Sequence, residues 1–135
     1  MVHLASLPPG SRVSRSHLAA AIECPEQFLS KILQSLAKAG LVASHRGNTG
    51  GFELPDAQRN ASLLDVVEAV EGPLRLNFCL TGEHACARQR GCAAHDAWSE
   101  AQQALASVLS GATLAVIAER GNGNWVSAEK GPAAE

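Results

Sequence analysis

"PEQFLSKILQSLAKAGLVASHRGNTGGFEL", residues 25–54, decides the fold. Pro25 suits a first helical turn, where its missing N–H leaves no bond unmade. Phe28, Leu29, Ile32, Leu33 and Leu36 recur at three-and-four spacing, which predicts a helix with one apolar face, and Gly40 ends it. The other face carries Gln27, Ser30, Lys31, Gln34 and Lys38. "LVASHRGNTGGFEL" then reads as two short strands, Leu41–Ser44 and Phe52–Leu54, joined by a tip of glycines, asparagine and Arg46. Upstream, "LPPGSRVS" is a connector, after which Ser14 or Ser16 caps a short helix bearing Leu18, Ala19, Ala21 and Ile22.

Two closely spaced helices followed by a glycine-tipped hairpin form the pattern of a winged helix-turn-helix, whose second helix enters the major groove of DNA. Gln27, near that helix's amino end, has the amide that pairs with an adenine edge, and Ser30 and Lys31 lie one turn further on. Arg46 suits a narrow minor groove or a phosphate. Polar residues on an amphipathic helix are also simply its wet face, which serves equally well for Gln34 and Lys38. The glycine tip lacks the Gly-Lys-Ser/Thr ending of a nucleotide phosphate cradle.

At 135 residues the chain suits one folding unit, or a small domain that completes its core by pairing with a copy of itself. Hydrophobic residues make up 46% and charged residues 18%, which excludes a wholly disordered polymer, and no apolar run approaches bilayer length. "MVHLASLPPG" carries no export signal, so a reducing, cytoplasmic setting without a membrane is expected. The overall charge of -2 hides an asymmetry: residues 1–54 hold five Lys/Arg against three acids, and the remainder six against ten. A weakly basic front half can meet phosphate without the whole protein being basic.

Further along, "SLLDVVEAVEG" predicts a compact helix capped by Ser62 and closed by Gly72, with Leu63, Val66, Val67 and Val70 inward. From Ala94 to Ala118, Trp98, Ala101, Leu105, Val108, Leu109, Ala112 and Val116 make a stripe that predicts one helix of roughly 37 Å. So long a stripe calls for a partner helix. The Gly/Asn/Pro/Ala-rich remainder reads as a tail.

Between these helices "CLTGEHACARQRGCAAH", residues 79–95, gathers three of the four cysteines and a histidine. Clustered thiols in a reducing setting bind metal more often than they form disulfides. Cys79, Cys86, Cys92 and His95 close loops of modest length, at little entropic cost. Zinc fingers bring thiolates in Cys-x-x-Cys pairs, absent here, whereas iron–sulfur sites accept wider intervals and histidine. Arg88 and Arg90 add positive charge beside anionic sulfur. Cys24, alone beside Pro25, reads as packing, and His84 ranks below His95 as a donor. His3, His17 and His45 have no donor cluster around them.

Taken together, "FLSKILQSLAKAGLV", "HRGNTGGFEL", "SLLDVVEAVEGP" and the thiol trio followed by "AAHDAW" resemble the Rrf-type (IscR/NsrR-like) family of iron–sulfur winged-helix transcriptional regulators, from about Leu18 to Ala118. The resemblance implies a 2Fe-2S or 4Fe-4S cluster on Cys79, Cys86, Cys92 and His95, and DNA contacts from Gln27, Ser30, Lys31 and Arg46. Two departures stand out. Six residues separate Cys79 from Cys86 where many relatives have five, and "MVHLASL" matches only the end of a first helix that in relatives runs about four turns, which implies a start further upstream.

The expectation is therefore a mostly α protein: a winged helix-turn-helix with a small β-hairpin wing over residues 1–75, a cysteine loop over 76–93, a long dimerisation helix over 94–120 and a flexible tail over 121–135. Its function would be that of a homodimeric regulator on a double-stranded DNA operator, with Gln34 added to the contacts above. Its signal would be iron–sulfur status, redox state or nitric oxide. The alternatives are a zinc- or thiol-based DNA-binding regulator and a small iron–sulfur electron carrier without DNA binding. No nucleophile and base stand in a recognisable arrangement, so no enzyme is expected.

Overall fold

The architecture was obtained as a computed structural model that describes residues 1–47, 50–82 and 86–121. In chain order it comprises helices α1 (Val2–Ser6), α2 (Arg15–Ala21) and α3 (Glu26–Lys38), strands β1 (Ala43–His45) and β2 (Gly51–Glu53), and helices α4 (Leu63–Glu71), α5 (Ala93–Gly111) and α6 (Leu114–Arg120). Short 3-10 turns occupy Asp56–Gln58 and Phe78–Leu80. The chain divides into two units, one of residues 1–61 with the segment from Thr113 onward, the other of residues 62–112. No helix among the described residues is long and apolar enough to cross a membrane.

In the first unit, the Ser14 hydroxyl accepts from the His17 N–H at 3.2 Å and starts α2, satisfying one of the donors a helix start leaves open. Both α2 and α3 end with the same paired bonds. After α3, Gly40 N–H donates to Ala37 O at 3.0 Å and Leu41 N–H to Leu36 O at 2.9 Å, with Gly40 in the left-handed region at φ 75°. After α2, Glu23 N–H donates to Ala20 O and Cys24 N–H to Ala19 O. Here the left-handed position falls on Glu23, at φ 50°, a side chain that pays for a conformation glycine adopts freely.

Leu18 and Ala19 of α2, Leu29, Leu33 and Leu36 of α3, and Leu41, Val42 and Leu54 beside the hairpin are buried. The strands are shifted from the predicted Leu41–Ser44 and Phe52–Leu54. Leu41 and Val42 belong to the turn that ends α3, and pairing begins at Ala43 opposite Glu53. Val13 adds a further bridge to β2, exchanging both backbone bonds with Phe52 at 3.0 and 2.8 Å. Gly51 permits that approach, since a Cβ there would meet Val13 O at 2.7 Å. Phe28, predicted to face the core, is instead 60% exposed, and Ile22 is 45% exposed.

α1 packs on α6, burying Leu4, Ala5 and the fully enclosed Leu114. Arg59 fastens this layer. Its Nη1 and Nη2 donate to Ala5 O and Leu7 O, both at 2.9 Å, and its Nε to Asp56 Oδ1 at 3.2 Å. The fork thus occupies carbonyls that the end of α1 leaves open.

In the second unit, Ser62 and Asp65 form a reciprocal cap on α4. The Ser62 hydroxyl accepts from Asp65 N–H at 3.1 Å, while an Asp65 carboxylate oxygen accepts from the Ser62 N–H and hydroxyl, each at 2.7 Å. These bonds, the hydroxyl's first, hold the Asp65 carboxyl below its ordinary value. The sign follows: the folded state prefers the ionised acid, so the cap contributes fully above the unfolded carboxyl's range and fades as pH falls through the lowered value. Ser62→Ala is expected to cost about 1 kcal/mol at neutral pH and less in acid, as measured by urea unfolding across pH.

The single helix predicted from Ala94 to Ala118 is two. Ala112 is extended, at φ -97° and ψ 95°, and the Thr113 hydroxyl accepts from Val116 N–H at 3.4 Å to begin α6. The 19 residues of α5 span about 28 Å.

Candidate nucleic-acid interface and cysteine loop

The α3 helix presents two faces of opposite character. Leu29, Leu33 and Leu36 are buried beneath it, whereas Gln27, Lys31, Gln34 and Lys38 are exposed on the other side at a spacing of four, three and four residues. That polar row runs about 16 Å along the helix, a length that fits within a major groove. Ser30 lies at the edge of the row and is half-buried. Its hydroxyl donates to Glu26 O at 2.9 Å, which leaves its lone pairs to accept.

Arg46 is exposed at the end of β1, where the hairpin turns. The turn is tight: Gly50 N–H donates to Gly47 O at 3.0 Å, and a Cβ on Gly50 would collide with His45 O. Residues 48–49 at the tip lie outside the described residues. At the wing's base one Glu53 oxygen serves two partners, Arg12 Nε at 3.2 Å and His45 Nε2 at 2.9 Å. The His45 contact is close enough for an ion pair but lies off the line a hydrogen bond needs. Arg15 Nε meets Glu26 at 3.2 Å across the α2–α3 turn. Arg12 and Arg15 are two further exposed cations on this unit that no motif in the sequence marks. Their only signal was type, with nothing in the spacing to single them out.

All four cysteines are free thiols, each partly exposed. Cys79 sits in the Phe78–Leu80 turn, and Cys86 opens a second turn in which Gln89 N–H donates to Cys86 O at 3.0 Å. Cys92 occupies the N-cap of α5, and His95 follows in its first turn, with His95 N–H on Cys92 O at 2.9 Å. The His95 Nδ1 is buried without a hydrogen-bond partner among the described residues. A buried imidazole nitrogen left unpaired is costly and fits a position meant to bind something. Among the described residues no three His, Cys, Asp or Glu side chains converge to hold one ion. Cys92 and His95 are therefore placed together on α5 by the chain itself, while Cys79 and Cys86 stand on separate turns. His84 lies outside the described residues, as do residues 122–135, where the tail was expected. Cys24 is half-buried, with its thiol 3.6 Å from Pro25 O.

The donor types are chemically apt for iron and sulfide: three thiols, an imidazole nitrogen without a hydrogen-bond partner among the described residues, and one of the thiols, Cys92, at the positive end of the 19-residue α5.

Comparison with known proteins supplies the context. Residues 1–120 match the family model Rrf2, described as an iron-dependent transcriptional regulator. A protein of Mycobacterium tuberculosis named as an HTH-type transcriptional regulator is 36% identical over 128 residues, covering 87% of this chain and 73% of the relative. Protein aau3 of Rhizobium meliloti is 37% identical over 107 residues, covering 78% and 70%. Among solved structures, CymR, the global cysteine regulator of B. subtilis, superposes with a TM-score of 0.69 at 26% identity over 88% of this chain and 87% of that one. IscR of T. potens gives 0.71 at 24% identity over 95% and 84%, a likeness of fold.

Proposed function

The chain belongs to the Rrf2 family of transcriptional regulators, and from that premise we propose a homodimer of the reducing cytoplasm that reads a partly palindromic operator with α3 and the wing. Its signal would be iron–sulfur status, redox state or nitric oxide. The DNA reading rests on one observation above the rest: α3 turns three leucines into its own core and leaves Gln27, Lys31 and Gln34 exposed in a row. Gln27 is suited to an adenine edge, Ser30 to a base donor, Lys31 and Arg46 to phosphate or guanine. Gln34 extends the row by one turn.

Pairing of two copies is supported by where burial is missing. Every buried hydrophobic side chain among the described residues lies in the unit that holds α3, and α4 and α5 bury none. Trp98 is 42% and Val108 69% exposed on α5, a surface that a second α5 would cover. A symmetric pair presents two α3 helices to successive major grooves, so the pairing helix sets half-site spacing.

Cys79, Cys86, Cys92 and His95 are the residues proposed to hold a cluster. When bound, such a group supplies one-electron redox chemistry and iron that can react with nitric oxide. The chain's own part is positional: Cys92 occupies the N-cap of α5 and His95 lies in its first turn, so drawing Cys79 and Cys86 to them ties the loop to the pairing helix. Loss of the tie frees the loop and shifts the balance between arrangements of α5.

Fluorescence anisotropy on duplex DNA across a salt series tests the DNA reading. Binding should weaken steeply with salt, and Lys31→Ala and Arg46→Ala should each flatten the log–log slope by about 0.9 if each meets one phosphate. Salt-independent or absent binding contradicts it.

A further inference from the structure

We propose that Phe28 is a specificity residue of the DNA-reading helix, packing its ring against the C5 methyl of a thymine in the major groove. The proposal rests on the reading of α3 given above and adds to it a contact of a different kind. Three-and-four spacing assigns Phe28 to the core, yet its residue is 60% exposed while its neighbour Leu29 is 5% exposed. The core side of α3 is already filled by Leu29, Leu33 and Leu36. At about 100° per residue, Phe28 lies roughly 60° around the helix from Lys31 and 100° from Gln27, on the rim of the polar row.

A lone exposed apolar side chain is ordinary on a protein surface. The position of this one is what carries meaning, because it stands among groups suited to phosphate and base edges. A phenyl ring offers nothing to a phosphate and accepts no hydrogen bond from a base. The one apolar feature that a base pair displays in the major groove is the thymine methyl, and Phe is among the side chains that meet it. Glu26, on the same end of α3, is paired with Arg15 at 3.2 Å, which tempers its repulsion of DNA.

The experiment uses the full chain, purified without oxygen, and a pool of random-sequence duplexes amplified in parallel with dTTP or with dUTP, which lacks the methyl. Wild-type protein should enrich a motif with a fixed thymine from the first pool and lose the preference at that position in the second. On the selected duplex, replacing that thymine by uracil should weaken wild-type binding about fourfold, the worth of one buried methyl-sized group, and leave Phe28→Ala unaffected. Phe28→Leu keeps an apolar contact and should retain the preference. A Phe28→Ala protein that still selects the thymine, or a Leu variant as indifferent as the Ala variant, overturns the proposal while leaving α3 as a DNA reader. A wild-type protein that enriches no motif from either pool overturns both. Equal DNA selection by all three proteins, with Phe28→Ala losing a protein partner instead, assigns the ring to a protein contact and likewise overturns it.

Discussion

Replacing Arg59 by alanine is expected to lower stability by about 3 kcal/mol, the largest effect of any single truncation outside the leucine core. Two charge-assisted bonds, to Ala5 O and Leu7 O, would vanish together, and the carbonyls they serve are part-buried. The backbone of Arg59 is committed as well, since its carbonyl accepts from Ala115 N–H at 2.9 Å at the start of α6. Truncation would therefore loosen α1 where it meets α6. Arg59→Lys keeps the charge without the fork and should recover less than half of the loss. Urea unfolding gives the number, and hydrogen exchange at α1 gives the location. A loss below about 1 kcal/mol would mean that water replaces the guanidinium without penalty.

Cys86→Ala is expected to abolish the cluster proposed for this loop. On the proposed set of four donors, removing one leaves a site that cannot close around iron, so visible absorbance and acid-labile sulfide should both fall to background in protein prepared without oxygen. Cys24→Ala, which removes the one thiol outside the loop, should keep both. Operator affinity of the Cys86 variant should match that of wild-type protein stripped of its iron, because both leave the loop untied from α5. A variant that keeps full absorbance shows that Cys86 is not a ligand. A colourless wild-type protein that carries zinc, or nothing, assigns the loop to a zinc- or thiol-based signal.

Features fixed by neighbours in the chain were legible in the sequence. Gly40 ends α3 through bonds reaching three and five residues back, and Ser62 caps α4 through a residue three ahead. Ser14 starts α2 in the same local way. Features set by distant chain were not. Arg59 gave no sign of its role because its partners lie 52 and 54 residues away. The strand boundary was misplaced because Leu41 and Val42 are as apolar as strand residues, yet Leu41 N–H is spent on closing α3. Apolar spacing continues across the break between α5 and α6 and hides it, and Thr113, whose hydroxyl caps α6, falls inside the helix that the spacing predicts.

The candidate site divides along the same line. The polar row of α3 follows from helical spacing alone, and its exposure agrees with the pattern. Phe28 departs from that pattern, because spacing assigns a side chain to a face but cannot say whether other leucines have already filled it. In the cysteine loop, spacing relates only Cys92 to His95, three residues apart on α5. No periodicity relates Cys79 or Cys86 to them, and any convergence depends on what the four donors hold.

The most direct test of the central claim, that one sulfur-ligated loop governs how α3 meets DNA, is a single titration performed twice. Wild-type protein purified without oxygen is assayed for iron and sulfide, then titrated onto its selected duplex before and after the iron is removed. Iron and sulfide present together, with an operator affinity that changes at least tenfold on their removal, is the expected result. Equal affinity in the two titrations, or a preparation that holds neither iron nor sulfide and still binds the duplex, would contradict it.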